Sequence, residues 1–141
     1  MAVTLTDEAR RYIALFDEET DVAATDCVVD KEYDRIAFVV PPGTMGQAIG
    51  PGGDHVTAVE SKVGRDVTVV EGADTAEDFV ANALAPAAVY NVTISENDTT
   101  VAYAEVDEND RGVAIGADGR NIDLARWLAD RHFNIDDIEL T

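Results

Sequence analysis

The spacing of apolar residues along the chain predicts one series of elements that occurs twice. Ala9, Tyr12, Ile13 and Phe16 recur at helical intervals, and Thr6 precedes them as a helix N-cap. Alternating and β-branched runs, which are typical of strands, follow this helix. The elements predicted in the first half are a helix over about residues 6–18, strands at 25–31 and 34–40, a short helix at 43–49, a helix over about 53–63 and a strand at 66–70.

The second half predicts the same order of elements. Thr75 is the expected N-cap of its first helix, whose apolar face includes Phe79 and Leu84, and Pro86 ends that helix. The remaining predicted elements are strands at 88–95 and 99–106, a short helix at 108–115, a helix over about 119–131 and a strand at 133–139. Each half therefore reads helix–strand–strand–helix–loop–helix–strand, which predicts an α+β fold.

Both halves carry the same glycine-rich phrase before their last helix. The segment from Met45 to Val56 reads MGQAIGPGGDHV, and the segment from Arg111 to Ile122 reads RGVAIGADGRNI, 66 positions later and without a gap. A single Gly-x-x-Gly arises often by chance. Two copies that align without a gap, each with the same aliphatic residues on either side, indicate a repeated module. We therefore predict two small domains, residues 1–72 and residues 73–141.

The composition is strongly acidic, but the repeated segments are not. The chain has 29 acidic and 10 basic residues, a net charge of −19, and its only lysines are Lys31 and Lys62. Residues 45–65 have no net charge and residues 111–131 have a net charge of +1, which leaves −20 on the other 99 residues. The acidic residues thus avoid the two glycine motifs.

Acid enrichment with almost no lysine resembles the proteomes of halophiles that accumulate salt. In molar salt the Debye length is about 3 Å, so an acidic surface repels other anions only weakly. Binding that depends on counterion release also weakens as the salt concentration rises. We therefore expect any contact with nucleic acid to depend on hydrogen bonds, close backbone approach and base contacts.

Several classes of function are disfavoured by the sequence. No apolar run predicts a membrane span and no secretion signal begins the chain, so we expect a cytoplasmic protein without membrane contact. Cys27 is the only cysteine, which excludes a multi-cysteine metal site, and we predict that it lies in the core. No Gly-Lys-Ser/Thr follows either loop and no Ser-His-Asp or Cys-His set is evident. We predict no enzyme, no cofactor, no metal and no small-molecule substrate.

A loop with glycine at both ends, placed between two helices, suits the binding of a phosphodiester. The missing Cβ atoms let the backbone approach, and the start of the next helix supplies free N–H groups and the positive end of its dipole. Ile49 with Val56, and Ile115 with Ile122, can form an apolar floor for unstacked bases. A KH module grips about four single-stranded nucleotides in this way. The alternative is a tight helix–turn–helix whose glycines serve packing alone.

The chain resembles the archaeal NusA-like family of transcription factors. The resemblance is carried by Ala-Ile-Gly-Pro-Gly-Gly, by Ala-Ile-Gly-Ala-Asp-Gly-Arg-Asn-Ile-Asp-Leu-Ala and by the segment Phe79–Ala87. It implies two tandem type II KH domains that bind single-stranded RNA in transcription elongation and termination, with RNA polymerase as a candidate second partner. The RNA-binding residues implied are Ile49, Gly50, Pro51, Gly52, Gly53, His55 and Val56 in the first domain, and Ile115, Gly116, Ala117, Asp118, Gly119, Arg120, Asn121 and Ile122 in the second.

Side chains beside the loops leave alternatives open. His55 and Asn121 occupy matching positions, where each can donate to a phosphate or a base edge or simply be exposed to solvent. Asp118 stands where bacterial loops tend to be basic, and it can repel a phosphate directly. Trp127 is expected either to pack against the neighbouring domain or to stack on a base. Contact with RNA and pairing with nearby aspartates are both open for the arginines of this region, Arg120, Arg126 and Arg131.

Two functions of different classes follow from these observations. The first is single-stranded RNA binding, for which Gly50→Asp or Gly116→Asp is expected to abolish binding without unfolding the protein. The second is a protein-interaction adaptor with little RNA affinity that docks on RNA polymerase or another basic partner through its acidic surface.

Overall fold

The computed structural model describes residues 3–141, and residues 4–141 divide into two compact units, Thr4–Gly72 and Ala73–Thr141. The first unit contains, in chain order, α1 (Asp7–Thr20), β1 (Asp26–Asp30), β2 (Arg35–Val40), α2 (Met45–Ile49), α3 (Asp54–Val63) and β3 (Asp66–Glu71). The second contains α4 (Ala76–Ala83), β4 (Val89–Glu96), β5 (Thr100–Val106), α5 (Arg111–Ile115), α6 (Arg120–Phe133) and β6 (Asp137–Leu140). The order of helices and strands predicted for each half is confirmed.

Each unit has one three-stranded sheet, and the two sheets are paired alike. In the first unit the strand order is β1-β2-β3, with β1 antiparallel and β3 parallel to the central strand. The second unit has the order β4-β5-β6 with the same directions. The last strand of each unit, β3 or β6, is therefore an edge strand, and it follows the helix that comes directly after the glycine loop.

Local sequence signals set the ends of several helices. The Thr6 hydroxyl accepts the N–H of Ala9 at 3.0 Å and caps α1, as predicted. The hydroxyl of Thr75 accepts the N–H of Asp78 at 3.2 Å and caps α4 in the same way. Gly64 ends α3 in the left-handed conformation with φ of 70°.

Aromatic contacts mark the two cores. Phe16 of α1 stacks on Phe38 of β2 with ring centroids 4.3 Å apart. Cys27 is 3% exposed and belongs to this core, as predicted. In the second unit, Phe79 lies 5.3 Å from the ring of Phe133 and 5.2 Å from that of His132. The first contact holds α1 on the sheet of its unit, and the other two join α4 to α6.

The end of the second unit differs from the prediction of a strand over 133–139. α6 continues through Phe133 and stops at Asn134, which is left-handed with φ of 55°, and β6 begins only at Asp137. The Phe133 ring packs on Phe79 as part of the helix, and Ile135 is buried in the connection. α6 therefore has 14 residues where α3 has 10.

The short helices also start later than predicted. α2 begins at Met45 rather than at residue 43, and the predicted helix at 108–115 is a 3-10 turn, Glu108–Asp110, followed by α5. Among residues 3–141, no helix combines the length and the apolar character that crossing a membrane requires.

Candidate nucleic-acid interface

The two glycine loops have the same backbone conformation. Gly50 and Gly116, which follow the short helices, have φ/ψ of 78°/170° and 79°/169°. Gly53 and Gly119, which precede the long helices, have 81°/14° and 81°/10°. L side chains rarely adopt such positive φ values, so this loop shape requires glycine at both ends.

The space around the first glycine of each loop is tight. A Cβ atom on Gly50 would lie 2.5 Å from Cγ of His55, and one on Gly116 would lie 2.8 Å from the backbone nitrogen of Asn121. An aspartate at position 50 would displace the His55 ring, and one at position 116 would displace the backbone of Asn121 in the first turn of α6. The expectation that Gly50→Asp or Gly116→Asp does not unfold the protein stays a prediction. Loss of binding in these variants would not separate RNA contact from damage to the loop.

The centre of each loop is open. Gly52 has φ/ψ of 61°/17° and Asp118, 66 positions later, has 58°/20°. A Cβ atom on Gly52 would meet nothing within 4 Å, and the neighbouring residues Pro51 and Ala117 are exposed. A carboxylate thus stands at the tip of the second loop at the position where the first loop has no side chain.

The predicted apolar residues divide into accessible and buried ones. Ile49 and Ile115, directly before the loops, are 37% and 40% exposed, so both isoleucines can contact a ligand. Val56 is half-buried, whereas Ile122 is only 6% exposed and belongs mainly to the core of its unit. An accessible isoleucine at the same place beside each loop agrees with the predicted contact to unstacked bases.

His55 and Asn121 connect each long helix to the short helix before it. Nδ1 of His55 lies 2.7 Å from the carbonyl oxygen of Gln47, so this ring nitrogen is the protonated one and donates. Nδ2 of Asn121 donates to the carbonyl of Ala114 at 3.1 Å and reaches that of Val113 at 3.4 Å. Gln47 and Val113 are themselves 66 positions apart. The sequence did not indicate this bracing role, because it depends on the folded loop.

Neither long helix has a side-chain cap at its N-terminus. Gly53 and Gly119 hold the N-cap positions of α3 and α6, and neither can supply an oxygen to the first-turn N–H groups. α6 begins with Arg120, which is half-buried, and α3 begins with Asp54. The first turns therefore offer backbone donors and a positive dipole end to an anion, with an added positive charge in the second unit.

A groove of about 540 Å³ lies beside the second loop. This volume falls within the range of about 300–1,000 Å³ that is usual for ligand sites. Its lining joins the loop, α6 and the edge strand β6 and consists of Arg111, Ile115, Asp118, Gly119, Ile122, Asp123, Arg126, Glu139 and Leu140. The groove thus brings four of the predicted RNA-binding residues, Ile115, Asp118, Gly119 and Ile122, together with Arg111 and Arg126.

Arg126 crosses from α6 to the edge strand. Its Nη2 donates to the carbonyl oxygen of Ile138 at 3.1 Å, and its Nε lies 2.9 Å from Oδ1 of Asp137. Asp123, one turn earlier on α6, is 3.7 Å from Nη1. The predicted alternative of pairing with aspartate is thus confirmed for Arg126, although the side chain remains 40% exposed.

The equivalent helix position in the first unit is Glu60. Its Oε2 accepts the N–H of Val67 on β3 at 3.0 Å. One side chain therefore bridges the helix to the edge strand in each unit, but it accepts a hydrogen bond in the first and donates one in the second.

Other candidate residues lie outside these contacts. Trp127 is 41% exposed, and its predicted roles stay open. The described residues, 3–141, contain no cluster of three or more histidine, cysteine or acidic side chains that could hold a metal ion.

The hydroxyl of Tyr90 donates to Asp107, which raises the pKa of Tyr90 and lowers that of Asp107. Tyr90 is exposed and Asp107 is half-buried, and no sequence pattern indicated this pair.

Comparison with known proteins identifies relatives along the whole chain. Residues 76–141 match the family described as the NusA-like second KH domain. The chain is 63% identical over 141 residues to the probable transcription termination protein NusA of Halobacterium salinarum, covering 100% of both chains. It is 61% identical over 140 residues to the protein of the same name from Halococcus morrhuae, covering 99% of each. These organisms are halophiles, in line with the acid-rich composition.

A solved structure extends the comparison to the fold. The crystal structure of APE1850 matches this chain with a TM-score of 0.86 and 31% sequence identity. The match covers 97% of this chain and 100% of the solved one.

Proposed function

The chain belongs to the NusA family of transcription termination proteins, and on that premise we propose that it binds single-stranded RNA during transcription elongation and termination. The observation that carries the proposal is the pair of glycine loops. Both have one conformation, both precede an uncapped helix N-terminus, and both have an exposed isoleucine directly before them. This combination offers backbone donors to a phosphodiester and an apolar surface to a base, which are the two contacts of a KH module.

We also propose that residues 1–72 form a KH domain, so that the chain is a tandem pair. The family match covers only residues 76–141. Support for the first domain comes from its element order, its strand pairing and its loop dihedral angles, which agree with those of the second unit. Two modules of about four nucleotides each suit a longer single-stranded segment than one module alone.

The site residues have distinct roles in this proposal. Gly50, Gly53, Gly116 and Gly119 shape the loops, and the exposed residues between them meet the phosphates. Ile49 and Ile115 contact bases, while His55 and Asn121 hold the loop in place rather than touch RNA. No step in this account is catalytic, and no cofactor takes part.

The acidic composition is compatible with RNA binding in a salt-rich cytoplasm. The segments around the two loops have net charges of zero and +1 in a chain of −19. Because counterion release contributes little in molar salt, few lysines are needed there. Hydrogen bonds to backbone donors and contact with apolar side chains are less sensitive to salt, and the loops supply both.

A second candidate function is a protein-interaction adaptor that docks on RNA polymerase or another basic partner. The observation that favours it is Asp118, whose carboxylate occupies the tip of the second loop and opposes a phosphate there. This function predicts that a protein partner is recovered with the chain at high salt after nuclease treatment. RNA binding predicts that nuclease treatment removes what is recovered.

The direct test of the proposed function is to map RNA contacts by backbone amide NMR shifts. Short single-stranded RNA of random sequence would be titrated into the full chain at about 2–3 M KCl, the regime in which counterion release is weak. We expect the amide signals of residues 50–56 and 116–122 to move most. Shifts elsewhere without change in these segments would contradict the proposal, and a duplex RNA of the same length is the control.

A further inference from the structure

The edge strands of the two units have equivalent residues beside the loops. Val67 of β3 pairs with Ile36, and Ile138 of β6 pairs with Ala102. Ile36 and Ala102 are 66 positions apart, which is the offset of the repeat. Val67 and Ile138 are therefore equivalent in the fold. They are 71 positions apart in the sequence rather than 66, mainly because α6 is longer than α3.

Both residues turn their backbone polar groups away from the sheet. In β3 the N–H of Gly72 donates to Val40 at 2.7 Å, so every second residue before it faces the central strand and Val67 faces the open edge. In β6 the N–H of Thr141 donates to Ala104 at 2.8 Å, which places Ile138 toward the open edge in the same way. The N–H and C=O groups of one strand residue point to the same side. Val67 and Ile138 thus each direct one donor and one acceptor to the open edge of their sheet.

Different groups are occupied at the two edges. In the first unit the carboxylate of Glu60 accepts the N–H of Val67. The groups left for a ligand at this edge are the Val67 carbonyl and the remaining lone pairs of the carboxylate, and all of them are acceptors. In the second unit Arg126 donates to the carbonyl oxygen of Ile138, and the Asp137 side chain accepts the N–H of Ile138 at 2.8 Å. What remains there are the N–H donors at the two outer nitrogens of the guanidinium, apart from the one that binds Ile138, and the side chain is 40% exposed.

We propose that the two modules select bases with opposite hydrogen-bonding character, through Glu60 in the first and Arg126 in the second. The first module accepts from an exocyclic amino group, as in adenine or cytosine, at the Glu60 carboxylate. The second donates to a carbonyl oxygen, as in guanine or uracil. The matching of carboxylate with amino group and of arginine with carbonyl oxygen follows the known chemistry of base edges. This inference rests on the proposed RNA-binding function.

Other carboxylates line the groove of the second unit, but Arg126 remains its donor to a base. Asp123 pairs with Arg126 and helps to orient the guanidinium. Asp118 lies at the loop tip, where a phosphate rather than a base is expected. Glu139 also lines this groove, and it alternates with the buried Ile138 along β6, so the two residues lie on opposite faces of the strand.

The test is selection of a randomised single-stranded RNA pool by the full chain and by two variants, Glu60→Gln and Arg126→Gln, at about 2 M KCl. Glutamine at position 60 keeps an oxygen for the Val67 N–H but adds an amino donor. Glutamine at position 126 keeps a donor for Ile138 but loses the charge and adds an acceptor. We expect each variant to relax one base position of the selected motif, by about tenfold in relative enrichment, and to leave the other unchanged. Glu77→Gln and Arg10→Gln, which make the same exchanges at exposed positions away from the loops and the edge strands, are the matched controls.

A second measurement does not depend on how the variants fold. In the selected RNA, purine riboside would replace an adenine to remove its amino group, and 2-aminopurine would replace a guanine to remove its carbonyl oxygen. Each replacement should weaken binding of the wild-type chain by about tenfold at its own position. The inference would be overturned if both positions of the motif selected bases with an amino group, or both selected bases with a carbonyl oxygen. It would also be overturned if Glu60→Gln and Arg126→Gln left the motif unchanged. In either case RNA binding itself would stand. No enrichment by the folded wild-type chain would overturn RNA binding itself, and the inference with it.

Discussion

Gly52 and Asp118 hold the same left-handed conformation at equivalent positions of the two loops, and they differ only in the presence of a carboxylate. The loop therefore accepts either residue without a change of shape. Glycine and aspartate are among the residues that tolerate this conformation. This equivalence makes it possible to alter the charge at a loop tip while keeping the fold.

Exchanging these two residues should move RNA affinity in opposite directions. Gly52→Asp places a negative charge where a phosphate is expected, and Asp118→Gly removes one. A unit charge about 4 Å from a phosphate in water costs about 1 kcal/mol, so we expect an affinity change of about fivefold at low salt and a smaller one in molar KCl. Equilibrium binding of single-stranded RNA at several salt concentrations measures this. Gly52→Asn, which has the same shape without the charge, is the control, and an equal effect of Asn and Asp would contradict the electrostatic explanation.

The first glycine of each loop should be far less tolerant than the central one. Gly50→Ala places a Cβ atom 2.5 Å from the His55 ring in a conformation that L residues avoid. We expect a loss of about 1–3 kcal/mol in the free energy of unfolding. Gly52→Ala meets open space and should cost about 1 kcal/mol from its backbone conformation alone. Urea titration of both variants gives the comparison, and equal destabilisation would contradict the account of the tight first position.

His55 and Asn121 should contribute to stability through equivalent hydrogen bonds. His55→Ala and Asn121→Ala each leave a carbonyl of the short helix without its donor, and we expect each to cost about 1 kcal/mol. Asn121→Asp should cost more, since it places a carboxylate against a carbonyl oxygen. His55→Asn, which transfers the amide of the second loop to the first, is the matched control. Thermal unfolding of the four variants measures the effect, and a stable Asn121→Asp variant would argue against the bracing role.

The pair of Tyr90 and Asp107 predicts a limited pH window of stabilisation. The pKa of Tyr90 is raised from its ordinary value of 10.0, so its contribution is present below that pH and is lost as pH rises through the folded pKa. The pKa of Asp107 is lowered from 3.8, so its contribution is present above that pH and is lost as pH falls through the folded pKa. The difference in melting temperature between wild type and Tyr90→Phe should therefore be small, level at neutral pH and smaller at both extremes. A difference that grows toward either extreme would contradict the assignment.

The sequence predicted the elements well wherever local signals decide them. Thr6, Thr75 and Gly64 mark helix ends through their own chemistry, and the structure places the ends there. The prediction failed at Phe133, because its place in the helix depends on a contact with Phe79, more than 50 positions away. In a short apolar segment, the sequence pattern of a strand cannot be distinguished from that of a helix end that packs on a distant aromatic ring.

The same distinction applies to the site. The glycine positions and the exposed isoleucines are visible in the repeat, since both follow from residue type and spacing. The contact of His55 with Gln47 and that of Arg126 with Ile138 are not visible, because each depends on two backbone segments that the fold brings together.

The central claim is that the two loops and their adjoining isoleucines bind single-stranded RNA. The most direct measurement is equilibrium binding of labelled random single-stranded RNA at about 2–3 M KCl to wild type and to the double variant Ile49→Asp/Ile115→Asp. These side chains are 37% and 40% exposed, so the fold should persist, which circular dichroism checks. We expect binding by wild type and a loss of at least about tenfold in the variant, from the removal of base contacts at both loops. Equal affinity of the two proteins, or no binding by a folded wild type, would contradict it.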